Sequence, residues 1–70
     1  MLKRNFELVV ASLKGCTIVG VRASTPAKAL AEYALSHNVY PNAQGKTARG
    51  NLYAILNSGE RVTVREKGRG

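Results

Sequence analysis

The side chains in this sequence with the clearest chemical potential are its cations. Lys and Arg number eleven against four acidic residues, all of them Glu, for a formal net charge of +7 and an isoelectric point near 10.2. Such a field concentrates phosphates and acidic surfaces around a small protein. The alternative is a solvated surface that only keeps the chain in solution. The cations predicted to contact a partner are Lys3, Arg4, Lys46, Arg49, Arg61, Arg65, Lys67 and Arg69.

Two kinds of partner fit this charge. Arg and Lys spaced along a strand and a loop can follow the backbone of DNA or RNA, with salt-dependent affinity and little sequence preference. The same surface could instead dock on an acidic face of a host protein or ribonucleoprotein and compete there with nucleic acid. The prediction is a small non-enzymatic protein that binds nucleic-acid phosphates, and the alternative is an inhibitor that binds an acidic partner.

A phosphate-binding P-loop is one motif that the sequence approaches and does not complete. Gly45-Lys46-Thr47 matches the end of the motif, but Tyr40 stands where the motif needs a glycine five residues before Gly45. Lys46 therefore lies in a basic segment flanked by glycine. This segment either meets a phosphate or carboxylate or is a simple connection.

Tyr53 is the one candidate for stacking on a nucleic-acid base. It alternates out of phase with Leu52 and Ala54, which puts its ring on the opposite side of a strand, and RNA-binding sheets stack bases on exposed aromatic rings. The alternative is a half-buried tyrosine that packs across the sheet. The motifs of the common RNA-binding folds do not occur in the sequence.

The residues available for catalysis are few. There is no Asp, the four Glu are scattered, and Cys16 and His37 have no third group in the sequence to orient them. One Cys and one His cannot complete a structural zinc site, so neither a metal nor a cofactor is expected. We predict that the chain is not an enzyme, that Cys16 is a small buried residue and that His37 caps a helix.

The first elements that position these residues are two strands. Apolar and polar residues alternate over 5–11 and again over 17–23, and Lys14-Gly15 lies between them, which predicts a hairpin. In the second strand, Ile18, Gly20 and Arg22 share one face. Gly20 inside a strand predicts a bulge or a close approach of another group.

A helix follows the hairpin. Ser24-Thr25-Pro26 is a strong helix start, and Asn38 tolerates the left-handed conformation that ends helices, so the helix is expected to run to about Ser36. Its predicted core-facing stripe, flanked by Tyr33, consists of Ala27, Leu30, Ala31, Ala34 and Leu35.

The second half of the chain predicts a long basic loop over 41–50 and another hairpin, with strands over 51–56 and 61–65. Val62 and Val64 are expected to face the helix, which places Arg61 and Arg65 on the other side. The predicted fold is α+β, of order ββαββ, with one antiparallel four-stranded sheet and a helix on one face. Residues 1–70 are expected to form a single domain with flexible segments 1–4 and 66–70, and the open face of the sheet is the natural binding surface.

The cellular setting is predicted from what the sequence does not contain. A lone cysteine, the lack of a secretory apolar segment and the lack of a long apolar run favour a soluble cytoplasmic protein with no membrane partner. The small size of the core also allows a homodimer.

The plan of strands and helix, with the stretch VRASTPAKAL over 21–30 at the start of the helix, resembles small accessory proteins of bacteriophages. Some phage-encoded anti-CRISPR proteins and phage inhibitors of host RNA polymerase have a similar combination of sheet and helix. The resemblance covers the chain from Phe6 to Arg65 at the level of pattern. It implies an inhibitor that binds a host machine, and it assigns a role to no particular residue.

Overall fold

The fold of residues 3–67, as described by a computed structural model, is one five-stranded antiparallel sheet with one helix. The elements are β1 (Arg4–Ser12), β2 (Gly15–Ala23), α1 (Pro26–Ser36), β3 (Pro41–Lys46), β4 (Leu52–Leu56) and β5 (Arg61–Glu66). The strand order across the sheet is β2-β1-β5-β4-β3. The α+β class and the antiparallel sheet are confirmed, and the strand count of four is wrong by one.

The core lies between α1 and one face of the sheet. Phe6, Leu8 and Val10 of β1 supply its centre, and Leu8 and Val10 lie opposite Val64 and Val62 of β5 in the middle of the sheet. The remaining buried apolar residues of the described chain are Ala23, Ala29, Leu30, Tyr33, Ala34, Ala54 and Leu56. The first hairpin is regular along its whole length, because each residue from Arg4 to Ser12 has one partner in β2. The central strands thus carry an apolar residue at every second position toward the helix.

The predicted limits of α1 are confirmed. Thr25 is extended, and its hydroxyl accepts a hydrogen bond from the backbone N–H of Lys28 at 3.2 Å, directly before Pro26. At the other end His37 is the C-cap, and Asn38 has a φ of 56°. The backbone N–H of Val39 then donates to the carbonyl of Ala34 at 2.9 Å, which closes the helix end and returns Val39 to the core.

The face that α1 buries differs from the predicted stripe. Tyr33 is 5% exposed and lies in the core with Ala29, Leu30 and Ala34, whereas Leu35 is 84% exposed. An aromatic ring brings more apolar surface than any other side chain of this helix, so its burial sets the orientation of the helix. Leu35, Ala27 and Ala31 therefore point toward solvent.

The fifth strand, β3, forms within the segment that was predicted as a loop. Pro41–Lys46 pairs with β4 at the edge of the sheet, with a register shift between Pro41 and Ala43. An edge strand needs only one hydrogen-bonded neighbour, and it tolerates a proline and a bulge that a central strand would not. Because β3 has few apolar side chains, it shows no alternation in the sequence. The prediction of a loop over 41–50 is wrong for 41–46 and holds only for the turn that follows.

The turn after β3 has the same form as the turn after β4. The N–H of Thr47 donates to the carbonyl of Asn51 at 2.8 Å, and Gly50 has a φ of 85°. In the second turn the N–H of Leu56 donates to the carbonyl of Glu60 at 2.8 Å, and Gly59 has a φ of 95°. Both are three-residue hairpin turns that need glycine in the left-handed conformation. The glycine at the third position of the turn, Gly50, is thus the feature of the sequence that indicates a hairpin between β3 and β4.

The strands reach close to both ends of the described chain. Arg4 is the first residue of β1 and Glu66 the last of β5, and their side chains form an ion pair at 3.1 Å. Among residues 3–67, α1 is the only helix, and it is too short to cross a membrane. Of the predicted flexible segments 1–4 and 66–70, residues 1–2 and 68–70 lie outside the described residues.

Candidate nucleic-acid interface

The two faces of the sheet carry different side chains. Val62 is 0% and Val64 1% exposed against the helix, and the strict alternation of β5 therefore turns Arg61 and Arg65 to the other face. This confirms the placement predicted for both arginines. We call the face away from α1 the open face.

Two more cations join Arg61 and Arg65 on the open face. The backbone N–H of Lys67 donates to the carbonyl of Asn5 at 2.9 Å, which continues the pairing of β5 with β1 by one residue. Arg22 pairs with Asn5 from the other side. Arg22 and Lys67 both line a shallow depression of about 460 Å³ above Gly20. Arg22 is not among the contact residues predicted from the sequence. Val19 and Val21 face the helix, so the alternation of the strand places Arg22 on the open face.

Negative charge is scarce on the open face. Within residues 3–67, Glu7 is its only carboxylate, and the other three Glu lie elsewhere. Glu66 pairs with Arg4 on the helix side, Glu32 lies on α1, and Glu60 is close enough to Tyr33 to help raise its pKa. The open face therefore carries four cations against one carboxylate, whereas the three other Glu offset cations elsewhere in the molecule.

The single carboxylate of the open face holds one of the arginines in place. Nε of Arg65 donates to Oε1 of Glu7 at 3.1 Å, across directly paired positions of β5 and β1. Among residues 3–67, the two terminal nitrogens of Arg65 make no hydrogen bond. The contact is half exposed and adds little stability by itself. It does orient a guanidinium that keeps its outer donors for another group.

Tyr53 positions the second arginine. Its half-buried ring lies across Gly45, where a Cβ atom would come within 2.8 Å of the tyrosine hydroxyl. The guanidinium carbon of Arg61 is 5.1 Å from the ring centroid, the range of a cation–π contact. The ring therefore has β3 on one side and Arg61 over it. This geometry matches the alternative of a tyrosine that packs across the sheet and leaves no free ring face for a base.

An apolar row separates the cations of the open face. Val9 pairs with Ile18 on one side and with Thr63 on the other, and Thr63 pairs with Tyr53. Ile18 is 56% exposed. Arg22, Arg65 and Lys67 lie on one side of this row, and Arg61 lies on the other. The open face therefore offers an apolar centre between cationic borders.

Two predictions about β2 are wrong. Cys16 is exposed at the start of the strand and is not part of the core, because it shares the open face with Ile18. Gly20 lies in a regular register, and a Cβ placed there would meet nothing within 4 Å. Gly20 thus leaves an empty space on the surface of the open face, and no other group of the described chain packs against it.

Two of the other predicted contact residues lie on the helix side of the sheet. Lys46 pairs with Leu52, whose side chain packs on the core, so Lys46 lies on the helix side. Arg4 lies over the ring of Phe6 at 5.5 Å, also on the helix side. Arg49 is in the turn between β3 and β4, and Lys3 directly precedes β1. Arg69 lies outside the described residues. The structure therefore brings together Arg61, Arg65 and Lys67 but separates them from Lys46 and Arg4.

The titratable groups form no further site within residues 3–67. No three His, Cys, Asp or Glu side chains lie close enough together there to hold a metal ion. His37 is the C-cap of α1, as predicted, and its ring stacks on Tyr33 with centroids 4.2 Å apart. Burial, and then the charge of Glu60, raise the pKa of the Tyr33 phenol above its ordinary value of 10.0. This group lies on the helix side, away from the cations.

Comparison with protein-family models, with curated proteins and with solved structures gave no match to this chain. The resemblance to phage inhibitors stays a prediction from the sequence pattern.

Proposed function

We propose that the chain is a non-enzymatic protein that binds nucleic acid through its open face, chiefly by contacts with phosphates. The observation that supports this most strongly is the distribution of charge. Arg22, Arg61, Arg65 and Lys67 share a surface with a single carboxylate, Glu7. Phosphate contacts of this kind give affinity without sequence preference.

The spacing of the cations suits an extended polyanion. Arg61 and Arg65 are four residues apart on one strand, about 13 Å at ~3.3 Å per residue. This is the axial rise of roughly four nucleotides of a stacked helical strand at ~3.4 Å each, and an extended strand covers the same distance with fewer nucleotides. Arg22 and Lys67 lie on either side of β1, about 10 Å apart at the usual spacing of strands. Phosphates several nucleotides apart can therefore each meet a cation.

Two of these cations are held in place before any ligand arrives. Arg65 is oriented by Glu7 and Arg61 by the ring of Tyr53. A long side chain that is already fixed loses less conformational entropy on binding. An oriented guanidinium therefore contributes more to the affinity than a freely rotating one. Planar donors also match the oxygens of phosphate.

The apolar row offers a surface to the bases of a bound strand. Val9, Ile18 and the methyl group of Thr63 lie between the cationic borders, where bases would lie if the phosphates met the cations. An apolar centre inside a charged rim also occurs at protein interfaces, so the choice of nucleic acid rests on the cations of the open face. If the chain does not bind nucleic acid, the other proposed partner, an acidic surface of a host protein, is the one to test next.

The test is the salt dependence of binding to a labelled oligonucleotide, single-stranded and duplex, of mixed sequence. Four phosphate contacts per chain predict a log–log slope near −3 for the single strand and slightly steeper for duplex, from about −0.7 and −0.9 per contact. A second mixed sequence should bind equally well. If the full chain does not bind either oligonucleotide at low salt, or if its affinity does not change with salt, the proposal is wrong.

A further inference from the structure

The two edges of the sheet differ in how well they are protected against pairing with another strand. At one edge, β3 has six residues, begins at a proline, contains a bulge and ends at Lys46. These are devices by which proteins protect sheet edges. At the other edge, β2 has nine residues in a regular register, contains no proline and has Arg22 as its only charged side chain. The edge of β2 is thus the one open to a further strand.

The backbone groups at this edge can be assigned. Asn5 of β1 turns its carbonyl to β5, because it accepts the N–H of Lys67. Antiparallel strands alternate, so the residues of β1 on either side of Asn5 turn toward β2. Their partners in β2 include Val19 and Val21. The outer edge therefore presents the N–H and C=O groups of Cys16, Ile18, Gly20 and Arg22, and no residue among 3–67 pairs with them from outside.

We propose that two copies of this chain pair antiparallel through the edges of β2, about a two-fold axis at Val19. In this register the four outward residues of one copy face the four of the other, Ile18 opposite Gly20 and Cys16 opposite Arg22. Shifting the axis by one residue either way leaves at least one outward residue without a partner. The register at Val19 is therefore the one that uses the whole edge.

The side chains of β2 fit each other in the same register. Ile18 is 56% exposed, and Gly20 leaves an open gap beside it on the same face. Pairing places Ile18 of each copy across the gap at Gly20 of the other. On the helix side the two Val19 residues meet, and β-branched pairs of this kind stabilise antiparallel strands. The two Arg22 side chains are about 20 Å apart at ~3.3 Å per residue, too far to repel strongly.

The pairing would extend the proposed binding surface. A two-fold axis perpendicular to the sheet keeps both helices on one side and both open faces on the other, in one sheet of ten strands. Sheets of this size occur in proteins. If the proposed function holds, the two cationic faces bind one strand with an avidity that neither has alone. The dimer itself does not depend on that function, and its test contains no nucleic acid.

The test is sedimentation equilibrium of the full chain from micromolar to near-millimolar concentration. We expect a monomer–dimer equilibrium, with a dimer of twice the 7.5 kDa chain mass. Ile18→Lys with Gly20→Lys places like charges directly opposite each other at both paired positions and should weaken association at least tenfold. Because position 18 is exposed and a side chain at position 20 meets open space in the single copy, the unfolding temperature of the monomer should change little. The matched variant, Ile18→Lys with Gly20→Glu, places opposite charges at the same paired positions and should recover association.

A cross-link supplies a second measurement. Cys16 lies opposite Arg22 of the other copy, so Arg22→Cys should form intermolecular disulfides under mild oxidation, since paired strand positions lie at the distance a disulfide needs. The unchanged chain should not cross-link, because its two Cys16 residues lie about 20 Å apart in the dimer. A monomer at every concentration overturns the proposal. So does a dimer that Ile18→Lys with Gly20→Lys leaves intact, or a cross-link in the unchanged chain that matches the one in Arg22→Cys.

Discussion

At the scale of single residues, the most informative contact is the one between Arg61 and Tyr53. The ring lies over Gly45, where a larger residue would displace it, and Arg61 lies over the ring. The tyrosine thus has a positioning role for a cation. The sequence correctly indicated that the Tyr53 ring faces away from the helix, but alternation gives only the side of a strand. It cannot show that a glycine on the next strand leaves the space into which the ring folds.

We expect Tyr53→Leu to weaken binding to a single-stranded oligonucleotide about twofold to fivefold, the equivalent of a lost cation–π contact of ~0.5–1 kcal/mol. Tyr53→Phe keeps the ring and should bind as the unchanged chain does. The measurement is fluorescence anisotropy at one low salt concentration. Equal losses in the two variants would show that the hydroxyl, and not the ring beneath Arg61, is what matters.

At the scale of elements, the parts predicted correctly are those with strong local signals. Thr25 and Pro26 mark the start of α1, Asn38 marks its end, and alternation marks the two strands of the first hairpin. β3 was missed because an edge strand paired on one side needs no apolar pattern. The burial of Tyr33 in place of Leu35 was missed because five apolar positions of similar spacing left the orientation of the helix to tertiary packing.

The buried phenol of Tyr33 predicts a loss of stability at alkaline pH. Its pKa is raised in the folded chain, first by burial and then by Glu60, so the folded state holds this proton more tightly than the unfolded state. The resulting contribution to the free energy of unfolding is fully present below about pH 10, and it is lost as the pH rises through the pKa of Tyr33 in the folded chain. Urea unfolding from pH 8 to pH 11 should show a steeper decline in the unchanged chain than in Tyr33→Phe.

The matched control for this measurement is Tyr40→Phe, because Tyr40 is exposed. Its unfolding free energy should decline with pH as steeply as that of the unchanged chain. A decline that is the same in Tyr33→Phe would show that other groups cause the alkaline loss of stability.

The apolar row across four strands predicts that bases contribute to binding. An abasic oligonucleotide carries the same phosphates as a normal strand of equal length, so its salt slope should be unchanged while its affinity is lower. The expected loss is about tenfold, or ~1.4 kcal/mol for the whole strand, which is no more than one stacked base can contribute at ~1–3 kcal/mol, because the row has no free aromatic face. Equal affinity of the two strands in isothermal titration would show that phosphates alone are bound.

At the scale of the whole molecule, the sequence could show only in part which cations share the open face. A net charge of +7 was evident from composition, and the placement of Arg61 and Arg65 on one face followed from the alternation of β5. The exclusion of Lys46 from that face did not, because it depends on the pairing of β3 with β4. Arg22 shares the open face with Arg65 and Lys67 because β1 lies between β2 and β5 in the sheet. The sequence does not show this strand order.

The central claim is that the open face, and not net charge, binds nucleic acid, and two variants with the same loss of charge test it directly. Arg61→Gln with Lys67→Gln removes two cations from the open face, whereas Lys46→Gln with Arg49→Gln removes two from the end of β3 and its turn. We expect the first pair to reduce the salt slope for a single-stranded oligonucleotide by about 1.4, two contacts at ~0.7 each, and the second to leave it nearly unchanged. Equal reductions in both pairs would contradict the claim.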